Sequence, residues 1–396
     1  MFTKLPDPTL DPIWAVARAC RADQRPNRLD LGIGVYRDDN GATPVMRAVD
    51  AAQRRLADRC DSKAYYPSAS GHQVFTDAMT QLVLGAHGQG RTTAVQTVGG
   101  TGALHLLSTL AVTGRPGTRI LVGMPTYVNH EPLFRNAGLE VVTFPFLDSA
   151  NRPSVTAIID AVQHARRGDL LLLQGCCHNP TGTELQAAEW AAVTDAVIAA
   201  GVVPFIDVAY YGLGNGLEQD LAGTRYIAER VPETLIAVSA AKAFGLYNDR
   251  VGLALVLTDP SRARTVRGTL ENIARIVYSQ PPHHGPAIVA EILGDPVLRA
   301  NWASELDSMR RRLDRLRAGF LDELAPEVQE RPEWQALRSH RGMFTTLPLG
   351  REAMVWLRED FAVYGTDGGR LNIAGLPAGR VSDLAAAVSA VAAKAA

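Results

Sequence analysis

The fold is decided by residues 235–257, which read LIAVSAAKAFGLYNDRVGLALVL. Two apolar runs, Leu235–Ser239 and Val251–Leu257, flank a turn that carries Lys242 and Arg250. Neither run alternates apolar with polar residues, so each is apolar on both faces, which is typical of strands covered on both sides of a sheet. The stretch therefore predicts two buried strands with a lysine placed just after the first of them.

Five more apolar runs of this kind lie earlier in the chain, and Ala- and Leu-rich segments such as Val155–Ala165 and Leu185–Ala200 separate several of them. Buried strands that alternate with helices predict an α/β fold, with a mostly parallel seven-stranded sheet flanked by helices. The five runs are Ala94–Val98, Arg119–Gly123, Glu140–Phe144, Leu170–Gln174 and Val202–Asp207.

The pattern also predicts how the chain divides into domains. Residues 1–12 contain three prolines and predict an extended N-terminal arm. The strand and helix pattern predicts a large domain at 46–305. Residues 13–45 and 306–396 predict a smaller α/β domain that is formed by both ends of the chain.

Composition and charge exclude several classes of protein. The 396 residues are 46% hydrophobic and 20% charged, which is too apolar for a disordered chain. With 40 basic and 41 acidic residues, no charge excess indicates a nucleic-acid or anionic-lipid partner. The four cysteines form no CxxC pair, and neither a signal segment nor about 18 uninterrupted apolar residues occur. We therefore expect a cytoplasmic protein without a membrane or nucleic-acid partner.

Polar residues follow several predicted strands, at the edge where parallel sheets bind ligands. Gly99–Gly102 can open a helix whose amides hold a phosphate, or it can form a plain turn. Asp207, with Tyr210 three residues later, can face a ligand or cap a helix. Asn179, in the Asn-Pro-Thr-Gly sequence at 179–182, can extend its amide into a cleft or simply belong to a turn.

Lys242 points most directly to covalent chemistry. It is one of only four lysines among the 40 basic residues, and the other three lie near the termini or in a polar stretch. Burial lowers the pKa of a lysine amine, as an imine-forming amine requires. A lysine, a carboxylate, a phenol, an amide and a phosphate loop together suit pyridoxal 5′-phosphate (PLP), whose aldehyde needs an amine and whose ring nitrogen needs a carboxylate.

The chain resembles the fold-type I PLP-dependent aminotransferases, and among them the aspartate and aromatic-amino-acid aminotransferases of class I. The resemblance runs from LGIGVY at 31–36 to GRLNIAG at 369–375, and its most specific segment is KAFGLYNDRVG at 242–252. It implies a transaminase that moves the amino group between aspartate or an aromatic L-amino acid and 2-oxoglutarate by a ping-pong mechanism.

The resemblance also implies roles for residues around the cofactor. Lys242 is expected to form the Schiff base with PLP and to carry the proton between the substrate Cα and the cofactor C4′. Asp207 is expected on the pyridine nitrogen, with Tyr210 and Asn179 on the ring oxygen. Four residues are expected to bind the phosphate: Gly100, Thr101, Ser239 and Arg250.

Substrate contacts follow from the same resemblance, with Tyr127 and Asn179 shared between cofactor and substrate. Arg370 resembles the arginine that holds the α-carboxylate in a bidentate fork, which lysine cannot form. Arg275 resembles the arginine that a neighbouring subunit supplies to the distal carboxylate of a dicarboxylic substrate. Without the resemblance, either arginine could be an ordinary surface charge. Gly34 is expected against the substrate, where a side chain would intrude.

The family's active sites are shared across a homodimer, and a tyrosine from the neighbouring subunit reaches the phosphate. Tyr65 and Tyr66 both fit that position, and Tyr65 is favoured.

Ala241 stands where a second serine is usual, so one phosphate hydrogen bond is expected to be missing. Tyr127 replaces an indole on the cofactor ring, and His130 supports Asp207 or is a buried core histidine. Gln280 and Ala64 also differ near the substrate side chain.

Two other functions stay open at this point. The first is a PLP enzyme of the same fold with different chemistry in a biosynthetic pathway, such as elimination, decarboxylation or oxidation. The second is a non-catalytic binding or regulatory protein, for which loss of Lys242 or Asp207 would be typical; both residues are present.

Overall fold

The computed structural model describes Phe2, Leu5 and residues 11–395, and the chain forms two compact units. Most of the N-terminal arm predicted at 1–12 lies outside the described residues. The larger unit comprises Pro44–Arg312 and His340–Gly342. The smaller unit comprises the described residues up to Thr43, Leu313–Ser339, and the described residues from Met343 onward.

A seven-stranded sheet forms the centre of the larger unit, and each strand overlaps one of the predicted apolar runs. The strands, numbered along the chain, are β2 (Thr92–Val98), β3 (Arg119–Met124), β4 (Glu140–Pro145), β5 (Leu170–Gln174), β6 (Val203–Val208), β7 (Thr234–Ser239) and β8 (Val251–Leu257). Their order is β2-β8-β7-β6-β5-β3-β4. Only β8 pairs antiparallel, with β2 and β7, so the predicted mostly parallel sheet is confirmed.

Helices accompany this sheet along the whole larger unit. They are α2 (Arg47–Arg59), α3 (Gln73–Leu84), α4 (Gly99–Gly114), α5 (His130–Asn136), α6 (Val155–Gln163), α7 (Ala187–Ala200), α8 (Leu217–Arg230), α9 (Ala263–Tyr278), α10 (His284–Gly294) and the start of α11 (Pro296–Asp322). Leu104 and Leu107 of α4 belong to one buried cluster with Val95, Ile120 and Phe205 of the sheet. Within the described part of the chain, no helix is both long and apolar enough to cross a membrane.

The smaller unit has its own short strands and its own core. Its elements are α1 (Pro12–Ala22), β1 (Leu29–Asp30), α12 (Pro326–Gln329), α13 (Pro332–Gln335), β9 (Phe344–Thr346), α14 (Arg351–Phe361), β10 (Val363–Tyr364), β11 (Arg370–Asn372) and α15 (Val381–Lys394). β1 pairs in parallel with β10, and β9 pairs antiparallel with β11. Leu31, Phe320, Trp334 and Leu371 are buried in one apolar cluster, which joins both ends of the chain.

The unit boundaries differ from the predicted ones at 45/46 and 305/306. The second boundary falls inside α11, a continuous helix of 27 residues, so no turn marks it in the sequence. Residues 340–342 return to the larger unit because the Arg341 N–H donates to the Gly182 carbonyl oxygen at 2.6 Å. This return depends on a contact between distant segments, and no local sequence pattern indicates it.

Candidate active site

Lys242 lies in the turn after β7, where its side chain is half-buried beside Tyr210. Its Nζ lies 5.3 Å from the centroid of the Tyr210 ring. Burial lowers the pKa of Lys242; the Asp207 charge opposes this effect and the Arg250 charge adds to it. A lysine held in this way loses its proton more readily than one in water and so becomes a better nucleophile and base.

Asp207, near the end of β6, is held by a buried histidine. Its Oδ2 lies 3.1 Å from Nε2 of His130, and Nδ1 of the same ring lies 2.8 Å from Oγ1 of Thr126. The His130 ring is fully buried and also contacts Asp207. The Tyr127 ring meets the His130 ring edge-on, with centroids 5.3 Å apart.

Asn179 and Tyr210 come together from two neighbouring loops of the larger unit. The Asn179 Nδ2 donates to the Tyr210 hydroxyl at 3.2 Å, and both residues are buried. The strands β5 and β6 lie side by side, so the loops that follow them meet at one edge of the sheet. The amide and the phenol thus form one polar pair close to Lys242.

The start of α4 packs against the ends of β7 and β8. The Gly99 N–H donates to the Arg250 carbonyl oxygen at 2.7 Å. A Cβ on Gly252 would lie 2.3 Å from the Gly99 carbonyl group, and a Cβ on Gly100 would lie 2.9 Å from Cβ of Ser239. These glycines therefore allow a close approach that no larger residue permits.

The same region has the donors that an anion requires. The first turn of the 16-residue α4 contains Gly100 and Thr101, and its amides and macrodipole favour a negative charge. The Ser239 hydroxyl and the Arg250 guanidinium belong to the elements packed beside that turn. The four residues predicted to bind the phosphate thus come from one compact part of the larger unit.

Tyr65 and Arg275 lie on the surface of the larger unit. The Tyr65 side chain is 83% exposed, whereas Tyr66 is half-buried, with its ring stacked on His283 at a centroid distance of 5.5 Å. Arg275, in the last turn of α9, is exposed and donates to the Ser279 Oγ at 2.6 Å. Neither residue belongs to the buried group around Lys242.

Arg370 and Gly34 belong to the smaller unit, where both contact Phe344. Arg370 opens β11 and is buried; its Nη2 donates to the Gly32 carbonyl oxygen at 2.6 Å. Its guanidinium carbon lies 4.7 Å from the centroid of the Phe344 ring. A Cβ on Gly34 would lie 2.7 Å from that ring, so the absent side chain makes room for Phe344.

The whole chain also matches known proteins. Residues 26–388 match the family described as aminotransferase class I and II. The chain belongs to this family. It is 41% identical over 394 residues to a tyrosine aminotransferase from Rhizobium meliloti, covering 97% of this chain and 98% of that protein. It is 36% identical over 397 residues to an aspartate aminotransferase from Escherichia coli, covering 99% of this chain and all of that protein.

A solved structure connects this aminotransferase with its cofactor. An aromatic-amino-acid aminotransferase from Burkholderia pseudomallei, covalently bound to pyridoxal phosphate, superposes with a TM-score of 0.95 at 35% identity and covers 99% of both chains. The residues present here fit that cofactor, because an amine of lowered pKa, a carboxylate and a glycine-lined anion cradle lie in one unit. The protein is a PLP-dependent aminotransferase.

Sequence reasoning missed two residues that contact the predicted site residues of this aminotransferase. Phe344 packs against the Arg370 guanidinium, and Gln174 hydrogen-bonds Asn179 and Thr126. The position of Gln174 could have indicated its role, since it is a polar residue at the end of an apolar run, like Asp207. Nothing in the sequence indicated the role of Phe344, because an aromatic residue in a short strand usually belongs to the core.

Proposed function

We propose that this aminotransferase exchanges amino groups between aspartate or an aromatic L-amino acid and 2-oxoglutarate, by a ping-pong mechanism. The named relatives support both substrate classes, since they include a tyrosine and an aspartate aminotransferase. The observation that supports the proposal most directly is the exposure and the hydrogen-bond partner of Arg275. Its guanidinium is exposed and bonds the Ser279 hydroxyl of its own chain, a neutral partner that it can exchange for a carboxylate.

In this proposal, Arg275 distinguishes the two substrate classes by the partner that its guanidinium binds, either a distal carboxylate or Ser279. A distal carboxylate gains a charge-assisted hydrogen bond from it, which is roughly twice as strong as a neutral one. An aromatic side chain has no such group, and Arg275 stays on Ser279. We propose that Arg370 binds the α-carboxylate in both cases, with Phe344 holding the plane of its guanidinium.

The cofactor, when bound, supplies an aldehyde that accepts the amino group and a ring that spreads the charge left on Cα. We assign the remaining work to residues of this chain. The Lys242 amine, whose pKa is lowered, would take the proton from the substrate Cα and carry it to the cofactor C4′. Asp207, in contact with His130, would hold the pyridine nitrogen, and Asn179 and Tyr210, which hydrogen-bond each other, would hold the ring oxygen.

The phosphate is assigned to the cradle at the start of α4, with a contribution from a second copy of the chain. We propose a homodimer in which Tyr65 reaches the phosphate of the neighbouring subunit and Arg275 reaches its substrate. Exposed Tyr65 supports this assignment, as do Ile276 and Val277 beside Arg275, which leave apolar side chains 75% and 51% exposed. Tyr66, already stacked on His283, is the less suitable candidate.

We also propose a cytoplasmic location, supported by the free thiols of all four cysteines, Cys20, Cys60, Cys176 and Cys177.

A half-reaction screen tests the substrate proposal. The holoenzyme is mixed with each common amino acid, and conversion of the cofactor absorbance from the imine form to the amine form is followed. We expect conversion with aspartate, glutamate and the aromatic amino acids, and its reversal by 2-oxoglutarate. Failure of all of these amino acids would overturn the proposal. Release of an oxo acid without stoichiometric amino transfer would instead indicate elimination, decarboxylation or oxidation.

A further inference from the structure

Gln174 clamps the backbone of Asn179 with both ends of its side-chain amide. Its Oε1 accepts from the Asn179 N–H at 2.8 Å, and its Nε2 donates to the Asn179 carbonyl oxygen at 2.9 Å. The two bonds require an acceptor on one side and a donor on the other, so they fix which way the amide points. Gln174 thereby holds the residue whose own amide contacts Tyr210.

The same side chain reaches toward Asp207, its register partner on β6. The Gln174 Nε2 lies 3.4 Å from Oγ1 of Thr126, which lies 2.8 Å from Nδ1 of His130. The other ring nitrogen of His130 lies 3.1 Å from Asp207. An unbroken chain of polar atoms therefore joins Asn179 to Asp207, and its members are buried or half-buried.

The available donors favour one direction for this chain. Gln174 can only donate to Thr126 through Nε2, so the Thr126 hydroxyl is free to place its own proton on Nδ1 of His130. A neutral imidazole that accepts at Nδ1 carries its proton on Nε2. That proton points to the Asp207 carboxylate, which accepts it in a charge-assisted hydrogen bond.

We propose that Gln174 is a positioning residue that couples the two sides of the cofactor site. It holds Asn179 in place and, through Thr126, holds His130 in the Nε2–H tautomer that donates to the Asp207 carboxylate. This inference rests on the proposed roles of Asn179 and Asp207 toward the cofactor ring. Gln174 itself touches neither cofactor nor substrate in this scheme, so its effects pass through its neighbours.

Three substitutions alter the Asn179 clamp and the hydrogen-bond chain to His130 in different ways. Gln174→Glu keeps the shape, but its carboxylate only accepts. It therefore loses the bond to the Asn179 carbonyl oxygen, the Thr126 proton turns toward it, and His130 is left to donate from Nδ1. Gln174→Leu removes the clamp and the chain together. Thr126→Val breaks only the link to His130 and leaves the Asn179 clamp intact. Gln163→Glu, on the exposed end of α6, is the matched control.

The first experiment follows the absorbance of the cofactor in each holoenzyme as a function of pH. We expect Gln174→Glu, Gln174→Leu and Thr126→Val to move the midpoint by about half a pH unit or more, since the charge of Asp207 governs the ring. We also expect kcat/KM to fall about 10-fold, as loss of a hydrogen bond to a charged group would produce. Gln163→Glu should leave both quantities at their wild-type values.

The second experiment reads the tautomer itself by ¹⁵N NMR of full-length protein labelled on histidine, with His130→Gln used to assign the signal. We expect Nε2–H in the wild type and loss of that preference in Gln174→Glu. Wild-type His130 with its proton on Nδ1 would overturn the inference, as would variants with unchanged midpoint and kcat/KM. Thermal unfolding identifies a misfolded variant, and Thr126→Val then decides the outcome.

Different results would contradict the role of Gln174 and the proposed function. A wild-type protein with normal amino transfer, whose Gln174 variants titrate like the wild type, would contradict only the role of Gln174. A wild-type protein that forms no cofactor chromophore would contradict the proposed function, and the role of Gln174 with it.

Discussion

The Lys242 amine lies over the Tyr210 ring, with Nζ 5.3 Å from the ring centroid. An ammonium group is attracted to the face of an aromatic ring, yet burial and the Arg250 charge lower the pKa of this amine. The contact places the amine against the ring, while burial still lowers its pKa. An amine with a lowered pKa is suited to nucleophilic attack and to proton transfer.

Lys242→Arg tests whether the amine itself is needed. Arginine keeps the positive charge and most of the length, but its guanidinium cannot lose a proton in a protein. We expect no imine chromophore and a fall in kcat of about 10²–10⁴-fold or more, measured by spectrophotometry and steady-state kinetics. Lys63→Arg, at an exposed position, is the control and should behave like the wild type. Normal turnover by Lys242→Ala would contradict the mechanism.

Glu184→Gln tests a pH dependence of stability. The carboxyl accepts from the Cys177 N–H at 2.6 Å, and burial raises the pKa of Glu184 from 4.5 to about 7, with a further contribution from Asp220. The folded state thus binds this proton more tightly than the unfolded state, so its contribution to the free energy of unfolding falls as pH rises from 4.5 to about 7.

In urea titrations, we expect Glu184→Gln to reduce this loss, because the amide still accepts from Cys177 but cannot ionise. The variant should be more stable than the wild type at about pH 8, by on the order of 1–3 kcal/mol, and closer to it at about pH 5. Glu140→Gln, an exposed carboxyl on β4, should show no such difference. An identical pH profile for Glu184→Gln and the wild type would count against the buried-carboxyl explanation.

Gly252→Ala tests the close approach of β8 to the start of α4. The new methyl group would lie 2.3 Å from the backbone carbonyl of Gly99, which cannot move aside as a flexible side chain could. We expect a loss of about 1–3 kcal/mol in stability. Weaker PLP binding should accompany it, measured by urea denaturation and cofactor titration. Gly294→Ala, at the end of α10 with open space around its Cβ, should be neutral or stabilising by up to about 1 kcal/mol.

Arg370→Lys tests the proposed α-carboxylate site. Lysine keeps the charge but loses the planar fork and its face-on contact with Phe344. We expect kcat/KM to fall about 10- to 100-fold for every amino acid, as removal of one hydrogen bond to a charged group would produce. The cofactor spectrum should be unchanged. Arg299→Lys, exposed on α11, is the control; an equal loss in both variants would exclude a specific role.

The position of a residue relative to a strand end governed how well its role could be predicted. Lys242, Asp207 and Gly100 directly follow or end apolar runs, and such ends meet at one edge of a parallel sheet. Their grouping could therefore be expected before any coordinates. Gln174 has the same placement, but its importance depends on Thr126, 48 residues away, which no local pattern connects to it.

The sequence by itself determined the seven strands of the sheet, the helices between them and the small set of residues that we assign to PLP. Apolar runs and a rare lysine are local properties that can be identified without knowledge of the fold. Only the tertiary structure decided the reversed direction of β8, the return of residues 340–342 to the larger unit, and the polar chain from Asn179 to Asp207. These features are contacts between distant segments, and their energy depends on geometry that composition and periodicity do not contain.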